Sequence, residues 1–494
     1  MSSNSISPEP EKISLQDLAA TAADQKASHE EYLDLLSSYP VVLVHDVNFT
    51  FFSRPELIAD EKGNILPALT DKYISGAVFD SLHNAVKRAA IWNYLGRLLG
   101  LLGSNPEKAF RPVILQELSS ICHLEYNRAQ AEFRRQVQTA TGTNWFVRVS
   151  KDDGSGNPVV RMKASPEQLA KSDPQLCYML HLCQPDTTAS KALDWIDKLS
   201  ELHKAHPSER EKLVGREAQS LAHLAVVIGF IHDATPVVSM PSLSRKKGKI
   251  FSSRIRDLDA ELSQLGKEVD LLDYATPIDN LLEPDMAQCA LDALDQFVKK
   301  KAGTKIGFLY KDLVEDCLAD LENQCQQAKA KLEKIDYTAP PVLSIPEKQE
   351  ERVEQRREKE KTRPSHSSVY NITPETTRPK QPDNVPAMTF KVSSKTAQIF
   401  STLFMKDLAR GSVSWASFTA AMAELGFLII PNSGSVYKFV PPTSMAVQKP
   451  LTLHRPHKSH IEGYLIPIFA QRLKRTYGWT EQTFVTSWWS QWVG

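Results

Sequence analysis

The chain has 494 residues, of which 41% are hydrophobic and 24% charged, with 59 Lys and Arg balanced by 59 Asp and Glu. That length exceeds what one hydrophobic core usually organises, so two or three folded units are expected. The six cysteines, at 122, 177, 183, 289, 317 and 325, include no two-residue-spaced pair and have no histidines at zinc-ligand spacing. This excludes a disulfide scaffold and a cysteine metal site. The N-terminal stretch Met1–Pro10 is polar with no apolar core, and no run of about 18 apolar residues is evident. The expectation is a soluble intracellular protein, cytoplasmic or nuclear, without a membrane partner, metal or cofactor.

Residues 1–28 are rich in Ser, Glu and Ala and read as a frayed tail with at most a transient helix. From 29 to 337 the pattern is helical. In Ile74–Leu102, Val78, Phe79, Leu82, Val86, Ala89, Ala90, Trp92 and Leu95 recur at three- and four-residue steps, striping one helix face. Further helices are predicted over Leu115–Thr139, Pro166–Leu182, Lys191–Lys204, Arg210–Ile231, Arg254–Leu272, Pro284–Lys300 and Leu309–Lys334. The run Val41-Val42-Leu43-Val44 reads as a strand, and Trp145–Val160 as a hairpin turning at Asp153-Gly154. Arg245-Lys246-Lys247-Gly248-Lys249 is a basic loop, read as a solvated connection before a localisation or phosphate patch. The histidines at 83, 123, 181, 203, 206, 223 and 232 form no metal-ligand spacing and receive no role.

Residues 338–388 are punctuated by eight prolines around the charged run Glu347–Arg363, which reads as a disordered linker. Order returns in 389–494. Helices are predicted over Thr396–Leu408 and Trp415–Leu425, the second capped by Ser414 and ended by Gly426. Strands follow over Phe427–Ile430, Ser435–Val440 and Leu451–His454, the first two joined by Pro431-Asn432-Ser433-Gly434. A helix from about Gly463 to Tyr477 stops at Gly478, and Thr480 is placed to cap a last helix carrying Phe484, Trp488 and Trp489. The predicted fold class is therefore a large, mainly α-helical domain, a disordered linker and a small α/β module of order α-β-β-β-α.

Charge separates these units. Between Lys391 and Gly494 there are eleven Lys and Arg against four Asp and Glu, so the neutral whole conceals a basic module. Its densest constellation is His454-Arg455-Pro456-His457-Lys458 with His460 close by. Arg and Lys suit a phosphodiester backbone, and an imidazole titrating near ~6.5 can exchange a proton with a ribose 2′-hydroxyl or a leaving oxygen. The plain alternative is a polar connection whose histidines meet solvent. His454 and His457 are the candidate catalytic pair. Ser435, Tyr437, Lys438, Arg455, Lys458, His460, Arg472 and Arg475 are the candidate nucleic-acid contacts. For Tyr437, packing on a helix is the preferred reading.

Gly426-Phe427 ending a helix, Gly434-Ser435 opening a strand, a strand running into a histidine-bearing turn, and an amphipathic helix follow in the order seen in HicA-type proteins. Over about residues 412–490 the chain resembles that family of bacterial mRNA-cleaving toxins. The resemblance implies a fold similar to the double-stranded-RNA-binding domain. It also implies a catalytic histidine in a Gly-Ser-His motif on the second strand. Here Gly434-Ser435 is followed by Val436, which has no proton to exchange. His457 resembles the histidine of the family's later turn, with Pro456 one place nearer than usual. Separately, Asp71-Lys72-Tyr73-Ile74 with Ala90-Ile91-Trp92-Asn93-Tyr94 resembles helical regions of filamentous-fungal proteins, which implies a setting and no activity. The expected function is a helical scaffold carrying a module that binds RNA without cleaving it. The alternatives are a protein-interaction scaffold with a degenerate module, and a metal-independent endoribonuclease using His454 and His457.

Overall fold

The computed structural model describes residues 13–66, 71–104, 106, 108, 110–152, 158–169, 173–244, 248–335, 389–405, 411–431 and 435–486. The proposed linker 338–388, the turns at 153–154 and 432–434, residues 245–247 of the basic loop, and Trp488 and Trp489 lie outside these residues. The chain is mainly helical, with a smaller strand-containing C-terminal region.

Helix α1 spans Leu15–Ser38 and replaces the expected tail. Ser14 caps it through a reciprocal box with Asp17, at 3.2 and 2.9 Å. The Ala-rich composition suggested little to bury, but Leu18, Ala22, Leu33, Leu35 and Leu36 all pack inward. Small residues let α1 approach α3 (Asp71–Gly103) closely, with a Cβ added at Gly96 only 3.9 Å from that of Ala22. Val41–Val44 belongs to helix α2 (Pro40–Phe51), not to a strand. A short β-branched run does not distinguish the two by periodicity, and Pro40 in the first turn opens the helix. Val42, Leu43, Val47 and Phe51, at helical spacing, are buried.

Helix α4 (Arg111–Thr139) leads into the antiparallel hairpin of β1 (Phe146–Asp152) and β2 (Pro158–Met162), in register Phe146↔Met162. The expected helix over 166–182 is divided into α5 (Pro166–Leu169) and α6 (Pro174–Leu182), the latter capped by Asp173. Then come α7 (Ala189–Ala205), α8 (Pro207–Glu211) and α9 (Gly215–Val238). The domain closes with α10 (Ile250–Glu268), α11 (Leu272–Ala275), α12 (Met286–Ala302) and α13 (Ile306–Ile335). Against the expectation of no membrane-length segment, α9 is long and apolar enough to cross a membrane by length and composition. In this structure Leu224, Val227, Ile228 and Phe230 of α9 join the bundle core with Trp92, Leu118 and Phe133.

The C-terminal region has its own hydrophobic cluster. It runs β3 (Phe390–Val392), α14 (Ser394–Phe404), β4 (Ser412–Ser414), α15 (Trp415–Glu424), β5 (Leu428–Pro431), β6 (Val436–Val440) and β7 (Leu451–His454). It ends β8 (His460–Glu462), α16 (Leu465–Tyr477) and β9 (Phe484–Thr486). Gly426 and Gly478 end α15 and α16 with φ of +88° and +70°, a conformation glycine adopts without strain. Strands β5, β6 and β7 form an antiparallel sheet in chain order, and β4 pairs with β8. The expected last helix carrying Phe484 is instead strand β9, parallel to β3 in register Phe390↔Phe484. Its reason is tertiary: the Phe484 ring stacks on Phe400 at 3.9 Å, inside an aromatic core with Trp479. Phe418 meets Phe439 and Phe469 at 5.7 and 5.6 Å in the same core.

Candidate nucleic-acid interface

Strand alternation sorts the candidate residues onto two faces. Tyr437 and Phe439 turn inward, Tyr437 meeting Trp415 edge-on at 5.2 Å, so the packing reading of Tyr437 holds. Val436 and Lys438 therefore take the outer face, across from His454 and Thr452 of β7. Lys438 is exposed there. His454 is thus the cross-strand neighbour of the valine that stands at the histidine position of the HicA pattern.

The turn after β7 is built by its own polar groups. The Arg455 amide donates to the Ser435 carbonyl at 2.8 Å, and its guanidinium donates to Ser459 Oγ at 2.7 Å. The ring Nδ1 of His460 lies 3.0 Å from the Lys458 carbonyl, and both residues are exposed. The turn is also held from outside: Arg210, from α8, donates to the Arg455 and Pro456 carbonyls at 3.3 and 3.4 Å.

The two candidate catalytic histidines have different surroundings. His454 is half-buried with Nδ1 shut off from solvent and without a partner. Burial first, then Arg472 and the nearby His223, bring its pKa down to about 3. His457 also has a closed, unpartnered Nδ1, and burial followed by Arg210 and Lys458 lowers its pKa. Arg210 lies beside His457 and Arg472 beside His454.

Arg472 and Arg475 do not face open solvent. They lie one turn apart on α16, and both reach α1 of the helical domain. Arg472 donates to Ser28 Oγ and, at 2.6 Å, to the Thr452 carbonyl. Arg475 pairs with Asp24 and Glu31, each at 3.0 Å, and Lys449 reaches Asp24 at 3.3 Å. Asp24, Ser28 and Glu31 are spaced four and three residues apart, which puts them on one face of α1. Burial pushes the Glu31 carboxyl up to about 7, against the lowering pull of Arg475 and Arg472. Beside these contacts Tyr464 stacks on His45 at 3.4 Å with rings 9° from parallel, and Tyr464 and Ile468 pack on the helical core.

Behind this contact the helical domain buries a charge network of its own. Arg128 donates to Glu125 at 2.6 and 2.7 Å and to Glu132 at 3.0 Å, and Arg88 donates to Glu132 at 2.5 Å. His223 lies 3.6 Å from Glu125 and edge-on to His29, linking the network to the module side near His454. Among the described residues no group of three or more His, Cys, Asp or Glu is placed to hold a metal ion.

Of the candidate residues, Lys438, Lys458 and His460 stand open, and Ser435 lends its carbonyl to the turn. Tyr437 packs inward. Arg455 is tied to Ser459, and His454, Arg472 and Arg475 are engaged at the helical domain. The sequence reading missed Asp24, Ser28, Glu31, His45, Arg210 and Tyr464, which make the other half of this contact. The helical spacing of 24, 28 and 31 was the available signal, hidden because the segment read as a tail. No known family, curated protein or solved structure matches the chain.

Proposed function

We propose that the chain is an intracellular scaffold whose basic C-terminal module binds RNA without cleaving it. The observation that carries this reading is that one side of the module already holds anions. Arg475 and Lys449 converge on the Asp24 carboxylate, and Arg475 Nε lies 3.0 Å from Glu31 Oε1. A guanidinium that pairs with a carboxylate suits a phosphodiester oxygen equally well. Lys438 and Lys458 add open cations on the sheet and the turn. The antiparallel sheet β5, β6, β7 between α15 and α16 supports the likeness to a HicA-type, double-stranded-RNA-binding-domain-like fold, with β8 as an addition between β7 and α16.

The same residues speak against cleavage. Val436, at the position of the family's catalytic histidine, has no exchangeable proton.

The test is titration of the full chain with labelled single- and double-stranded RNA across a salt series. The expected result is uncleaved RNA, bound with an affinity that falls steeply as salt rises. Cleavage abolished by His454→Ala or His457→Ala would restore the ribonuclease reading. No binding at low salt, by the wild type or by a chain with its α1 carboxyls neutralised, would leave the second reading, a protein-interaction scaffold with a permanently docked module. The Tyr464–His45 stack and the enclosed His454 favour that second reading.

A further inference from the structure

We propose that the acidic face of α1 is a built-in competitor for RNA, so that the module binds RNA only when α16 is lifted from α1. This rests on the RNA-binding reading and adds its regulation. Arg472 and Arg475, the two candidate RNA contacts on α16, turn their guanidinium groups to α1, where Arg472 donates to Ser28 and Arg475 to Asp24. Lys449, next to them, is drawn to the same Asp24. A phosphodiester cannot reach these donors while the carboxyl groups hold them.

Spacing makes the competition specific. Asp24, Ser28 and Glu31 present oxygens along one face of α1, and Arg472 and Arg475 present nitrogens three residues apart on α16. The match is of oxygen acceptors to a cationic row, the role phosphate oxygens play on a basic surface. The partners are 451 residues apart in the chain, so the contact joins two units and is not local helix pairing.

The contact is built to part. Each unit keeps its own hydrophobic cluster, so separation leaves both cores intact. What is lost is the charged row, the Arg210 contacts to the turn, the Tyr464–His45 stack and the packing around Ile468. Lys449 is 48% exposed beside Asp24, so water and salt reach the edge of this charged row. RNA presents many phosphates to the few carboxyls of α1. It would displace them by mass action once its affinity for the module exceeds theirs.

The experiment uses the full chain in two forms, wild type and Asp24→Asn. That change removes the carboxylate shared by Arg475 and Lys449 without adding positive charge and nearly preserves shape. RNA affinity is read by fluorescence anisotropy with a labelled RNA duplex, and docking by amide hydrogen exchange in α16. The expected result is faster exchange in α16 of the variant and an RNA affinity about fivefold or more above wild type, the lower end of ordinary coupling between two sites. Arg475→Gln serves as the control for opening: exchange quickens likewise, but RNA affinity does not rise, because a phosphate contact has gone with the latch.

Three outcomes overturn the proposal, and they differ. If exchange quickens and neither protein binds RNA, the RNA-binding reading fails and the competition with it. If exchange quickens and both bind RNA equally, the RNA reading stands and the competition is wrong. If exchange in α16 is unchanged, these charges do not hold the module at all.

Discussion

Two groups of charged side chains are drawn out of bulk water in this molecule, and they differ in what would have to move to separate them. Arg128, Arg88, Glu125 and Glu132 lie between helices of one bundle, with Glu125 only 1% exposed and Arg128 12%. Parting them means unfolding that bundle. Arg475, Lys449, Asp24 and Glu31 lie between two units that each have a core, and Lys449 is 48% exposed. Parting them needs only a rigid-body displacement. The same chemistry is therefore structural in one place and reversible in the other, because only the second joins units with separate cores.

The strongest way to break this contrast is Arg128→Ala, which leaves Glu125 and Glu132 without their shared cation. The expected loss is about 3–5 kcal/mol of helical-domain stability, read by denaturant unfolding. A loss below about 1 kcal/mol would mean that water reaches the cluster. Leu473→Ala comes next, since Leu473 is fully buried in the module core. It is expected to cost about 3 kcal/mol. Calorimetry should show a module transition moving down while the helical-domain transition stays; joint movement would contradict two separable cores.

Arg475→Gln should cost about 1 kcal/mol of docking and leave helical-domain unfolding unchanged, with the effect shrinking as salt rises. Salt-independent loss would place the pair with the buried group instead. The smallest effect is a pH dependence near neutrality. His454 titrates at about 3 in the closed form, below its free value near 6.5, so its contribution is complete above about 6.5 and lost as pH falls toward 3. At pH 6 the loss is below about 1 kcal/mol, and it grows with further acidification. Glu31, raised to about 7, acts with the opposite sign: its contribution is present below about 4.5 and lost as pH rises through 7. Comparing α16 hydrogen exchange in wild type and His454→Leu cancels the Glu31 contribution, and matching pH profiles would exclude His454 from the docked surface.

Most helices were legible because their burial is repetitive: Leu82, Val86 and Ala89 mark one face of α3 whatever they pack against. The hairpin of β5 and β6 was legible from its turn residues, since register follows from local chemistry. What escaped was decided at a distance. Phe484 became a strand because Phe390 and Phe400 receive it, almost a hundred residues earlier in the chain. Val41–Val44 carries no local sign of its helix except Pro40. The candidate site was half visible: its cations stand out in the sequence, but the α1 carboxyls that meet them sit in a stretch whose alanines looked unable to bury anything. Charge density marks one partner of an ion pair and is silent about the other.

The sequence separation of Asp24 and Arg475 has a consequence for synthesis. At roughly 5–20 residues per second, the 451 residues between them take about 20–90 s to make. Throughout that interval α1 has been translated and its acidic face has no α16 to meet. The helical bundle, if it folds as it emerges, does so with Asp24, Ser28 and Glu31 facing water. Any basic segment encountered on the ribosome then has the first opportunity to cover them.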